Sequence, residues 1–186
     1  MTTEGESINN EIREKIMELE EQHDVSLSTI QKILLTIEGQ IVTILDVLYG
    51  NVKLFIIDQC MIKADKQTAE KLDVSEGDEI DLREVIVHKK GHPLVYAKSY
   101  IPKDRCSDRV IDELFKEEST TSRIMLAHEI ETTRKIKEIS IEKPTALLRE
   151  LFNTTEDMLS REYVMIHKKK VVIWTKELYP LSHFKE

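Results

Sequence analysis

Cysteine is scarce in this chain. Cys60 and Cys106 stand far apart, with no second cysteine or histidine at metal-ligand spacing, which excludes a disulfide framework and the usual zinc patterns. Two reduced, partly buried thiols remain. Glycine and proline are also few, 5 and 4 among 186 residues, and no long stretch has the composition of a disordered segment. No glycine-rich phosphate loop and no helix-turn-helix module is present, which argues against nucleotide chemistry. Acidic residues outnumber basic ones, 35 to 27, and a formal net charge of -8 argues against a broad nucleic-acid surface. A small anion in a local arginine pocket stays open. No run approaches the roughly 20 apolar residues of a membrane span, and the N-terminus has neither a basic nor an apolar leader segment. The expectation is a soluble, cytoplasmic protein with no membrane or nucleic-acid partner.

What the chain does have is a near repeat. LREVIVHKKGHPLVYAKSYIP at 82–102 is echoed by SREYVMIHKKKVVIWTKELYP at 160–180. In each copy an Arg-Glu pair opens a β-branched run, a His-Lys-Lys cluster makes a turn, and a second apolar run closes on Tyr and Pro. Each copy reads as a β-hairpin, and two matched hairpins imply one sheet.

The rest of the chain surrounds those hairpins with helices. The first 22 residues carry Ile12, Ile16 and Leu19 at helical spacing among carboxylates, a thin stripe suited to an accessory contact or to a homodimer interface. Ser26 or Ser28 can cap a helix through ILLT, and Gly50 suits the C-terminal cap of IVTILDVLYG. VKLFIIDQCMIKA reads as a strand, KQTAEKL as a short helix, and VIDELFKE and SRIMLAHE as helices capped near Ser107 or Asp108 and near Thr120 or Thr121. ETTRKIKEISIEK fits a half-exposed strand imperfectly, and TALLRELF forms a helix behind Pro144. The expected fold is α+β: a single six-stranded antiparallel sheet around two similar hairpins, flanked by helices. An N-terminal helical extension over 1–30 would precede one domain over 31–186.

Two charges stand out because strands alternate their side chains. Arg83 shares a face with Val85 and Val87, and Glu177 shares one with Val171, Ile173, Thr175 and Tyr179. Each ends an apolar stripe, where an uncompensated charge is expensive. The plain reading pairs the two with each other or with neighbours. The functional reading makes them walls of a pocket, the guanidinium holding a carboxylate and the carboxyl group exchanging protons with substrate or orienting it. His88 and His167, beside the lysine clusters, read as exposed turn residues. Tyr96 and Trp174 occupy corresponding positions and read as core aromatics. Thr121 and Ser122 open a helix whose free N–H groups could hold a carboxylate, although capping is the simpler role. Arg123 could serve either pocket or surface.

These residues resemble the signature of the chorismate pyruvate-lyase family. LREV and HPLVYAKSYIP are similar to its Leu-Arg-Glu strand and the strand that follows a Pro-containing turn; SREYVMIHKKKVVIWTKELYP resembles its terminal hairpin; LTIEGQIVTILDVLYG resembles the segment where a polar turn opens a helix over the pocket. The likeness spans roughly 34–182. It implies conversion of chorismate to 4-hydroxybenzoate and pyruvate with no metal and no cofactor. Arg83 falls on the family's carboxylate-binding arginine and Glu177 on its essential glutamate, with further substrate contacts near Ile41 and near Thr121 and Ser122. The same fold is similar to the effector-binding domain of GntR-type repressors, which implies the alternative of a non-catalytic sensor of an aromatic acid. The short acidic segment before the domain is unlike a winged helix, so DNA binding is not expected.

Overall fold

The computed structural model describes residues 4–116 and 120–185. Three helices come first: α1 (Glu4–His23), α2 (Thr29–Thr36) and α3 (Ile41–Tyr49). Strand β1 (Lys53–Lys63), helix α4 (Lys66–Leu72) and the hairpin β2 (Glu79–Lys89) and β3 (His92–Pro102) follow. Helices α5 (Asp108–Lys116) and α6 (Thr121–Ala127) lead to β4 (Thr133–Glu142), α7 (Ala146–Phe152) and the hairpin β5 (Met158–His167) and β6 (Lys170–Pro180). The strands form one antiparallel sheet in the order β1-β2-β3-β6-β5-β4, the α+β architecture that the hairpin repeat predicts.

The repeat runs deeper than the hairpins. Strand, short helix and hairpin recur as β1-α4-β2-β3 and β4-α7-β5-β6. The helices begin on Asp65 and Thr145, whose side chains cap Thr68 and Leu148, and end on left-handed Asp73 and Asn153. Register shifts fall at corresponding places, between Ile56 and Asp58 and between Ile136 and Glu138 in the outer ladders, and after Val87 and after Met165 in the hairpins. The two halves meet where β3 pairs with β6, so each hairpin contributes one central strand.

Each face of the sheet carries two apolar clusters with a polar row between them. On one face Ala69 and Leu72 of α4 pack on Ile80, Val164 and Trp174, and Leu148 of α7 packs on Ile86, Tyr96 and Leu178. Between these clusters Lys98 and Lys176 stand opposite each other, neutralised by Glu84 at 2.8 Å and by Glu142 and Glu162 at 2.8 and 3.3 Å. On the other face the first three helices cover Val87, Val95, Leu159 and Tyr179, and Ile16 and Leu19 of α1 join that core. Helices α5 and α6 cover Ile101, Met165 and Ile173 on the same face. The polar row left between those two clusters holds the candidate site.

The α2 end of this covering layer is tied to the chain's C-terminus. Ser28 caps α2 in a capping box with Gln31, and the Gln31 side chain, fully buried, also donates to the carbonyls of Leu181 and His183 at 2.8 Å each. Gly50 ends α3 with φ 64, a value that favours glycine. We predict that Gln31→Leu, which leaves two buried carbonyls without donors and removes one capping acceptor, lowers stability by about 2 to 4 kcal/mol. Urea unfolding measures this, and an unchanged midpoint would show that the tail is not held through Gln31.

Candidate functional site

One row of side chains crosses the covered face in register. Arg83 on β2 lies opposite Ser99 on β3, Ser99 opposite Thr175 on β6, and Thr175 opposite Tyr163 on β5. One step along, Ala97 lies opposite Glu177 and Glu177 opposite Arg161. Ser99 and Thr175 share a buried hydrogen bond of 2.9 Å, which fills the floor between Arg83 and Glu177 with neutral hydroxyls. Above this row lies a hollow of about 620 Å³, counted out to its mouth. Arg83 and Glu177 both line it, with apolar walls from Val85, Val87, Val95 and Ala97. The roof is made by Gln40, Ile41 and Val42 at the start of α3 and by Thr120 and Thr121 at the start of α6.

Arg83 and Glu177 therefore face one hollow, but they are not each other's ion-pair partners. Glu177 accepts from Arg161 Nε at 2.6 Å and from the Tyr163 hydroxyl at 3.0 Å, so both of its oxygens are engaged. Arg161 is 1% exposed and Glu177 7%. Burial works against the charge on Arg161, but Glu177 and the phenol of Tyr163 outweigh it and raise its pKa. Burial, reinforced by Glu177, also keeps Tyr163 a phenol. The Tyr163 ring sits between two guanidiniums, 4.4 Å from Arg134 and 5.2 Å from Arg161.

Those two arginines also hold the roof. Arg161 Nη1 donates to the Ile37 carbonyl at 2.8 Å, and Arg134 Nη1 donates to the carbonyls of Glu38, at 2.6 Å, and of Gly39. Three consecutive carbonyls of the α2–α3 turn are thus turned toward the sheet. Gln40 is the N-cap of α3, and its own side chain makes no capping hydrogen bond to the first amides of that helix.

Arg83 is 2% exposed, and burial lowers its pKa, an effect that Asp81 opposes. Asp81 lies two residues before Arg83 on the same face and is fully buried. Its Oδ2 accepts from Gln59 Nε2 at 2.8 Å, and burial raises its pKa to about 6 despite Gln59 and Arg83.

One expectation needs correction, and the open alternatives are resolved. His88 and His167 end their strands half-buried and outside the hollow, with His167 Nδ1 at 2.7 Å from the Glu131 carbonyl. Thr120, not Thr121, is the N-cap of α6, its hydroxyl accepting from the Arg123 N–H. Arg123 points to solvent. Thr121 and Ile41 stand at the roof, and the side chain of Ser122 lies outside the described residues. Tyr96 and Trp174 belong to cores on the opposite face. Arg161, Tyr163, Arg134 and Asp81 are additions. Arg161 could have been found, since it is the counterpart of Arg83 in the repeat; Arg134 was hidden in a strand with a weak pattern.

Comparison with known proteins follows the same lines. The family described as Chorismate pyruvate-lyase Rv2949c-like matches residues 35–185. The chain is 28% identical over 156 residues to the protein named Putative lyase MJ0807 of Methanocaldococcus jannaschii, covering 80% of this chain and 77% of the relative. Among solved structures, the effector domain of PhnF from Mycobacterium smegmatis has a TM-score of 0.64 at 17% identity, over 77% of this chain and 89% of that one. A GntR-family transcriptional regulator from Bacillus cereus has a TM-score of 0.61 at 19% identity, over 73% and 94%. At such identities the structures share the fold.

The raised pKa of Asp81 has a definite sign for stability. The folded protein holds the proton more tightly than the unfolded chain, so stability is greatest below the ordinary carboxyl range and falls as pH rises toward about 6. Asp81→Asn is expected to be near neutral at pH 4 and to stabilise at pH 7.5, by on the order of 2 kcal/mol. Unfolding of parent and variant at the two pH values tests this; an equal difference at both would show that Asp81 does not titrate there.

Proposed function

The chain belongs to the Rv2949c-like chorismate pyruvate-lyase family, and we propose that it cleaves chorismate to 4-hydroxybenzoate and pyruvate in the hollow on its sheet. The observation that carries this reading is local charge. The chain as a whole is strongly acidic, at -8, yet Arg83, Arg134 and Arg161 line or back a hollow whose lining includes one carboxylate, Glu177. A concentration of positive charge between apolar walls suits a dianion with a ring, and chorismate is a dianion with a ring.

In this reading Arg83 grips the ring carboxylate with its guanidinium fork. In the internal repeat Arg83 corresponds to Arg161, with Ser99 across the ladder where Arg161 has Glu177. Main-chain N–H groups at the start of α3, near Ile41, and at Thr121 and Ser122 receive the enolpyruvyl carboxylate. Glu177 accepts the hydrogen bond of the ring hydroxyl. The reaction removes the hydrogen from the hydroxyl-bearing ring carbon and breaks the neighbouring ether bond, so that the ring becomes aromatic and the side chain leaves as pyruvate. Aromatisation drives it, and the protein's contribution is to orient the ring and exclude water.

Purified protein and chorismate, with pyruvate followed by a coupled reductase and 4-hydroxybenzoate by absorbance, test the reading. Equimolar release of both is expected. Arg83→Lys keeps the charge and loses the fork, and should lower kcat/KM by roughly 10 to 100-fold. Tight binding of 4-hydroxybenzoate with no turnover of chorismate would replace the enzyme with a sensor of the kind that the shared fold also allows.

A further inference from the structure

The fate of the ring hydrogen is readable from the groups around the hollow. Among the described residues that line it, Glu177 is the one side chain able to take a proton at neutral pH; the others are hydroxyl, amide, guanidinium or apolar groups. Both Glu177 oxygens already accept, from Arg161 at 2.6 Å and from Tyr163 at 3.0 Å. Protonating the carboxyl group would abolish the charge that faces Arg161, which is 1% exposed. Arg161 is itself anchored to the Ile37 carbonyl, and Tyr163 is wedged between Arg134 and Arg161, so neither donor is placed to swing aside. A carboxylate held in this way has both oxygens committed and its position fixed.

Resting on the lyase reading above, we propose that Glu177 does not receive the ring hydrogen. Arg161 and Tyr163 act as positioning residues that hold Glu177 against the ring hydroxyl, and the hydrogen passes directly to the methylene carbon of the departing enolpyruvyl group. The electron count closes within the substrate. The C–H pair of the hydroxyl-bearing carbon becomes the new ring double bond, the ether C–O pair becomes the carbonyl of pyruvate, and the enol double bond forms the new methyl C–H bond. No external acid, base or water is consumed.

The test is chorismate deuterated at the hydroxyl-bearing ring carbon, turned over by the full-length protein in ordinary water. Lactate dehydrogenase and NADH trap the pyruvate at once, and mass spectrometry reads the methyl group of the lactate. One deuterium in nearly every methyl group is expected. Unlabelled methyl groups overturn direct transfer. Tyr163→Phe keeps the ring between the two arginines and removes one donor; it should lower kcat about tenfold, leave KM within about twofold and retain the label. A kcat unchanged by Tyr163→Phe overturns the positioning role. Absence of pyruvate from the unaltered protein would remove the lyase reading and this inference with it, whereas unlabelled pyruvate removes this inference alone.

Discussion

The walls and roof of the hollow depend on the contact between Arg161 and Glu177. Both side chains are withdrawn from water, and a buried pair that loses one member leaves the other charge stranded, typically at a cost of about 3 to 5 kcal/mol. The pair joins the two strands of the second hairpin, and Arg161 extends it to the Ile37 carbonyl of the turn before α3. Floor, wall and roof of the hollow therefore share one guanidinium. Arg134 reinforces it from the next strand, holding the carbonyls of Glu38 and Gly39 and stacking on Tyr163. Apolar packing on either side, from the three leading helices and from α5 and α6, stops short of this row and leaves the hollow between.

The internal duplication gives that contact its meaning. Two copies of a strand-helix-hairpin unit share caps and bulges, yet their corresponding arginines have different cross-strand neighbours. The second copy sets Glu177 beside its arginine, and the first sets Ser99. One arginine is thereby committed to the architecture and the other to the wall of a cavity.

The sheet, its hairpins and the two facing charges were legible because strand alternation and an internal echo are local signals that need no knowledge of packing. Gly50 and the Ser28 cap were legible for the same reason. What lay hidden depended on neighbours from distant sequence. Glu177 was visible as a charge on an apolar stripe, but its partner was undetermined because the neighbour across a ladder depends on register, which bulges after Val87 and Met165 alter. Arg134 sat in a strand of irregular pattern, and its place comes from stacking on Tyr163 and from the carbonyls of Glu38 and Gly39. Asp81 looked like an ordinary residue at a strand start, and burial beside Arg83 is what makes it unusual.

The ladder that joins the two copies is short. It pairs only the stretch from Tyr96 to Tyr100 with that from Trp174 to Leu178, whereas the ladders within each hairpin run nearly the full length of their strands. The hollow lies directly over this seam, with Arg83 on one bank and Glu177 on the other. A molecule bound there, as proposed, would bridge the shortest ladder of the sheet and brace one copy against the other.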